Sequence, residues 1–236
     1  MPLRGAREIP TARLVSGFTL IEMLVVLAII TVLMAIVFSS QSSFNKSLVL
    51  SNTAYDVALT LRNAQAFGLG NRVTVGNIKN AGYGIHLVKG TQTSFTLFAD
   101  LDIPDIDNCH GLPLSRDINA PDAQYGNCVY TFSADGPAVQ TYNLNNGVTI
   151  SDFCARDAMF GILVCANNGS INMNSLDIVF ARPNPDVFIR RDSVPNTYYP
   201  DTAACIVLTQ SQDTSAHRYV SVSSVGEITV NSTSCI

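Results

Sequence analysis

Hydrophobic and polar positions divide the chain into three unlike stretches. Residues 18–38 form an unbroken apolar run with a single charge, Glu22. As a helix this run is roughly 31 Å long, close to the thickness of one hydrocarbon core. A strand of that length could not satisfy its backbone in lipid, so a helix is the only workable form. After the polar patch Ser39–Ser43, helical periodicity resumes. Phe44, Leu48, Tyr55, Ala58 or Leu59, and Ala66 or Phe67 recur as one apolar stripe, with Asn45, Lys46, Asn52, Asp56, Arg62 and Asn63 on the other face. Gly68-Leu69-Gly70-Asn71 ends that pattern. The spacing predicts one helix from about Thr19 to Phe67, roughly 75 Å long at about 1.5 Å per residue.

From Arg72 the pattern changes to short alternating or β-branched runs. The predicted strands are Arg72–Val75, Tyr83–Val88, Ser94–Ala99, Val139–Leu144, Val148–Ser151, Ile162–Cys165, Leu176–Phe180, Val187–Arg190, Ala204–Thr209, Arg218–Val222 and Ile228–Val230. Turn residues separate them, including Lys89-Gly90, Asn145-Asn146-Gly147, Asn167-Asn168-Gly169 and Val225-Gly226. Asn-Asn-Gly reads as a hairpin turn, because these residues tolerate positive φ. The last two runs read as a terminal hairpin. The predicted class is α+β: a long N-terminal helix followed by a head of antiparallel strands. Residues 100–135, rich in Asp, Pro and Asn, read as an irregular insertion.

Composition narrows the function classes. With 47% hydrophobic and 14% charged residues, the chain is too apolar and too weakly charged for disorder. One membrane-length run excludes a polytopic transporter. A net charge of −4 gives the bulk surface no pull on nucleic acid. The first seventeen residues carry Arg4, Arg7 and Arg13 against Glu8, so the basic end stays in the cytoplasm and the rest crosses. The small-residue pair Ser16-Gly17 precedes the apolar run, whereas a secretory signal is cut after it. Cutting there would discard the basic head and keep the helix. A carboxylate four residues inside such a helix is a functional candidate, and a neighbouring copy's freed Phe18 amine is its natural partner. The plain alternative is a Glu22 that reaches back to the headgroups.

Gly17-Phe18-Thr19-Leu20-Ile21-Glu22-Met23-Leu24-Val25-Val26-Leu27-Ala28-Ile29 resembles the class III signal of type IV pilins and type II secretion pseudopilins. The resemblance implies cleavage between Gly17 and Phe18 by a prepilin peptidase, N-methylation of Phe18, and assembly with other pilin or pseudopilin subunits through Glu22. It also divides the chain into a cleaved leader (1–17), a membrane and filament-core helix (18–40), an amphipathic continuation (41–70) and a β-rich head (71–236). Tyr83-Gly-Ile-His-Leu87, Thr96-Leu-Phe-Ala-Asp100, Asp177-Ile-Val-Phe180 and Val222–Val230 are similar to the minor pseudopilin H and fimbrial protein T types, which implies a head of two small antiparallel sheets. The expected location is the cytoplasmic membrane, single-pass, with the head outside the cytoplasm and later in a filament. Filament-tip binding, in DNA uptake or adhesion, is the alternative function. Some relatives bind DNA through a C-terminal Gly-Arg-x-Arg. The corresponding place here reads Gly226-Glu227-Ile228-Thr229, so a nucleic-acid partner is disfavoured. Arg182, Arg190, Arg191 and Arg218 would form a basic patch only if the fold gathered them.

Six cysteines (Cys109, Cys128, Cys154, Cys165, Cys205 and Cys235) in an exported chain suggest an oxidising compartment. They allow 15 pairings, of which the sequential one, Cys109–Cys128, Cys154–Cys165 and Cys205–Cys235, is the expectation; the alternative leaves some thiols free. No Cys-x-x-Cys occurs, and His86, His110 and His217 sit in unrelated contexts, so zinc and catalytic triads find no footing. Asp100, Asp102, Asp105 and Asp107 could offer oxygens to calcium. Their spacing is not that of an EF-hand and the required glycine is missing, so a solvated acidic loop is preferred. No enzyme activity and no cofactor are expected.

Overall fold

A computed structural model describes residues 17–70, 81–101, 126–136, 139–167, 173–181, 186–192, 201–211 and 213–235. The predicted strand at 72–75, most of the insertion (102–125) and the leader before Gly17 lie outside the described residues. The chain divides into two compact units, Met1–Asn45 and Lys46–Ile236. Helix α1 is assigned over Leu20–Leu69.

In the first unit the helix opens at Thr19, whose Oγ1 accepts the Glu22 N–H at 3.3 Å and whose carbonyl accepts the Met23 N–H. The first contact satisfies an amide that the first turn leaves without an intrahelical partner, and the second is the first i→i−4 bond of the helix. Leu20–Phe38 is long and apolar enough to cross a membrane and is not buried anywhere within the chain.

The second unit holds the helix from Lys46 onward together with two five-stranded antiparallel sheets. Sheet one has the order β3(Gln140–Asn143)-β2(Ser94–Asp100)-β1(Gly82–Val88)-β6(Ser175–Phe180)-β7(Val187–Arg191). Sheet two has the order β10(Ile228–Asn231)-β9(Asp213–Ser223)-β8(Ala203–Gln210)-β4(Val148–Arg156)-β5(Leu163–Cys165). A four-residue helix, α2, spans Phe132–Asp135. Alternation along each strand sends one set of side chains to a shared core. Sheet one contributes Ile85, Leu87, Leu97 and Ile178; sheet two contributes Phe153, Ile206, Leu208 and Val220. The helix contributes Leu50, Ala54, Val57, Ala58, Leu61 and Ala64. In β4 a register shift between Ile150 and Asp152 changes the phase, so that Ile150 and Phe153 both reach the core.

The opposite faces of the sheets are covered differently. Behind sheet one, Phe98 and Val179 pack on Cys128, Tyr130 and Phe188. Behind sheet two, Cys154, Cys165, Cys205 and Val207 pack with Tyr219 and Cys235.

Two expectations are corrected, and a third, the end of α1 within Gly68-Leu69-Gly70-Asn71, holds with the stop at Leu69. The buried stripe of α1 is Leu50-Ala54-Val57-Leu61-Ala64, at alternating spacings of four and three, while Leu48, Tyr55 and Leu59 are exposed. The helix carries two apolar stripes, and small residues let the sheets approach the less bulky one. Asn145-Asn146-Gly147 does not close a hairpin. Asn146 and Gly147 have the expected positive φ, but the turn carries the chain from sheet one (β3) to sheet two (β4). Gly68 lies inside the last helical turn rather than stopping it. A Cβ there would come 2.0 Å from the Phe180 carbonyl oxygen, so this glycine permits contact between helix and β6. The terminal hairpin is present as β9–β10, with Ile228 opposite Val222.

Candidate functional site

Gly17 and Phe18 precede the first helical turn, and Phe18 is 79% exposed. Thr19 and Glu22 stand three apart, the Ser/Thr-x-x-Glu arrangement of a helix start. The Glu22 carboxylate has no partner among the described residues. Leu20, Ile21, Leu24, Leu27 and Leu33 of the same segment are exposed. Burying each such side chain would contribute about 1.5–3 kcal/mol.

The head brings together polar groups that sequence patterning did not connect. His86 of β1 and Asp177 of β6 are register partners behind sheet one, with Nδ1 2.6 Å from Oδ1. Tyr130 covers them. Its ring lies 5.0 Å from the imidazole, and its N–H donates to Asp177 Oδ1 at 3.3 Å. Burial pushes the Asp177 pKa up, and His86 pulls it back. Asp177 Oδ2 is buried without a partner among the described residues. Asp100 accepts the N–H groups of Asn127 and Cys128, and Asp135 accepts those of Leu101 and Thr131. Burial, then the neighbouring Asp135, holds the Asp100 carboxyl well above its ordinary range. Three buried carboxylates thus tie residues 127–131 to sheet one. The signal available in sequence was their place in apolar runs, Phe98-Ala-Asp100 and Leu176-Asp177-Ile.

Asp100 is therefore turned inward onto backbone amides, away from a solvent cation. Asp102, Asp105 and Asp107 lie outside the described residues, as do Cys109, His110 and Arg182. Cys154–Cys165 and Cys205–Cys235 are disulfides, and Cys128 is also disulfide-bonded. Asp152, Cys154 and Cys165 converge within 4.8 Å, but the two sulfurs are bonded to each other and so cannot serve as thiolate ligands. Among the described residues, the arginines are not gathered into a patch. Arg190 is buried in β7, and Arg191 is paired with Asp157 and Asp201 at 2.8 Å each. Arg218 lies on the other sheet and donates to Ser51 and Ser47 of the helix. His217 stands apart from His86, beside Tyr219. Glu227 follows Gly226 in the β9–β10 turn, where it brings an exposed acid.

Comparison with known proteins matches residues 13–38 to the prokaryotic N-terminal methylation motif. No curated protein matches the chain. Among solved structures, the type IV minor pilin FimU of Pseudomonas aeruginosa is similar in two crystal forms, at 12% identity in each. One covers 80% of this chain and 92% of FimU with a TM-score of 0.38. The other covers 77% and 92% with a TM-score of 0.35. These likenesses are too distant to carry a role across. The likeness to known families is thus carried by residues 13–38, the span of the prokaryotic N-terminal methylation motif.

Proposed function

We propose that this chain is a minor pilin-class subunit, built as a single-pass membrane protein and then drawn into a type IV pilus or a secretion pseudopilus. The observation that carries the reading is the methylation motif over residues 13–38, set on an apolar segment that nothing in the chain buries. Hydrolysis of the Gly17–Phe18 peptide bond by a prepilin peptidase on the cytoplasmic face frees the Phe18 α-amino group, which is then N-methylated. Glu22 of an adjoining subunit meets that cation. In a low-dielectric filament core, an ion pair satisfies two groups that would each be costly alone, and the pairing fixes register. Disulfides in the head support a location outside the cytoplasm.

The mass of the N-terminal peptide from native cells tests the reading. A peptide beginning with N-methylphenylalanine at position 18 is expected. A chain that still begins at Met1, with residues 1–17 attached, would overturn it.

A further inference from the structure

Between the helix of the second unit and the β3–β4 turn lies an open groove of about 380 Å³. That volume falls at the small end of the range for small-molecule sites, about 300–1,000 Å³. The half-buried Tyr142 lines it, stacked on Phe95 with ring centroids 5.4 Å apart and planes 10° apart. Amide-bearing residues line both walls, Asn63 from the helix, Asn143 from the end of β3, and Asn145 and Asn146 from the turn. These side chains have no hydrogen-bond partner among the described residues. Among the described residues, no lysine, arginine or histidine lines the groove, and its one charged group is Asp56.

The turn is held in place before any ligand arrives. Gln210 Nε2 donates to the Asn146 carbonyl at 3.1 Å, the Ser211 N–H to the Gly147 carbonyl at 2.8 Å, and the Leu144 N–H to the Thr93 carbonyl at 2.7 Å. Asn146 and Gly147 both adopt positive φ, which points successive amides away from the strand direction.

We infer that this groove binds a neutral carbohydrate. A pyranose presents an apolar C–H face and a rim of hydroxyls. The aromatic ring matches the first. Primary amides, which both donate and accept, match the second, and a carboxylate accepts from paired hydroxyls. Phosphate or carboxylate ligands want Arg or Lys, which the lining lacks, and Asp56 would repel them. The inference stands apart from the filament reading, because it concerns the head alone and does not depend on processing at Gly17.

The test is saturation-transfer NMR on the full chain in an amine-oxide detergent, which has no sugar headgroup to compete. Maltotriose, cellotriose and triacetylchitotriose are the neutral probes, and an oligothymidylate is the anionic one. At least one trisaccharide is expected to bind with a dissociation constant on the order of 1 mM. Tyr142→Ala and the surface change Asn63→Ala should each weaken it by about tenfold, while Tyr142→Phe retains binding. Absence of binding by all three sugars would overturn the inference. Binding that survives both alanine changes, or that occurs only with the oligothymidylate, would do the same.

Discussion

His86 and Asp177 face each other across β1 and β6, with an imidazole nitrogen 2.6 Å from a carboxylate oxygen that solvent does not reach. Truncating His86 leaves a buried acid with only the Tyr130 N–H on that oxygen. His86→Ala should cost on the order of 3 kcal/mol in urea unfolding. Asp177→Asn in the same chain should recover part of that loss, because the orphaned charge is gone. Strictly additive effects of the two changes would show that the pair is not coupled.

Asp201 gives the head a pH dependence. Burial raises its carboxyl to about 6, against the pull of Arg191. A carboxyl with a higher pKa folded than unfolded favours folding when protonated. Its contribution is complete below about 3.8 and is lost as pH rises through about 6. Asp100 and Asp177 act in the same direction. Asp157 acts oppositely, since amide donors, Phe160 first, and Arg191 lower its pKa. Asp201→Asn should flatten the stability profile between about pH 4 and 6, by on the order of 3 kcal/mol at most. Urea midpoints measured across that range, in wild type and variant, check it; parallel profiles would contradict it.

The helix face is tested by two leucines two residues apart. Leu61 is fully buried, whereas Leu59 is 56% exposed. Leu61→Ala should destabilise the head by about 2–5 kcal/mol and Leu59→Ala by less than about 0.5 kcal/mol. Equal losses in chemical denaturation would argue against the observed orientation.

The disulfides differ in the loops they close. Cys154–Cys165 spans 11 residues and Cys205–Cys235 spans 30. Chain-entropy arguments give about 2.8 and about 3.6 kcal/mol. The Cys205→Ser/Cys235→Ser variant should therefore unfold at lower urea than Cys154→Ser/Cys165→Ser. The reverse order would place the difference in native packing behind sheet two.

For assembly, Glu22→Ala should leave membrane insertion intact and abolish recovery in sheared filaments, with a loss of about tenfold or more. Wild-type amounts in the filament fraction, measured by immunoblot, would remove Glu22 from the proposed role.

Sequence patterning located ten strands, eight of them to within one residue at each end, because alternation is strong wherever a sheet has one face on the core; the end of β4 and the start of β9 were each missed by five residues. It mixed two faces of α1 in one apolar stripe, since Leu48, Tyr55 and Leu59 recur as regularly as Leu50, Ala54 and Leu61; of its positions, Ala58 and Phe67 do meet the core. Only the packing of two sheets on the smaller residues decides between them. The bulge after Ile150 lengthened β4 beyond its alternating segment. Asp100 and Asp177 read as ordinary strand and loop acids, because the amides and imidazole that hold them come from distant parts of the chain. The motif at Gly17–Glu22 was legible without any fold, since its chemistry lies in consecutive residues.

Cys154 stands opposite Cys165 on one neighbouring strand and opposite Cys205 on the other. Geometry alone thus offers this sulfur two mates. Shorter loops close at lower entropic cost, so the β4–β5 partner should be captured before β8 arrives. Among the described residues, Cys205 is then left with Cys235 in its neighbourhood, and the order of events during oxidation selects the partners that register leaves open.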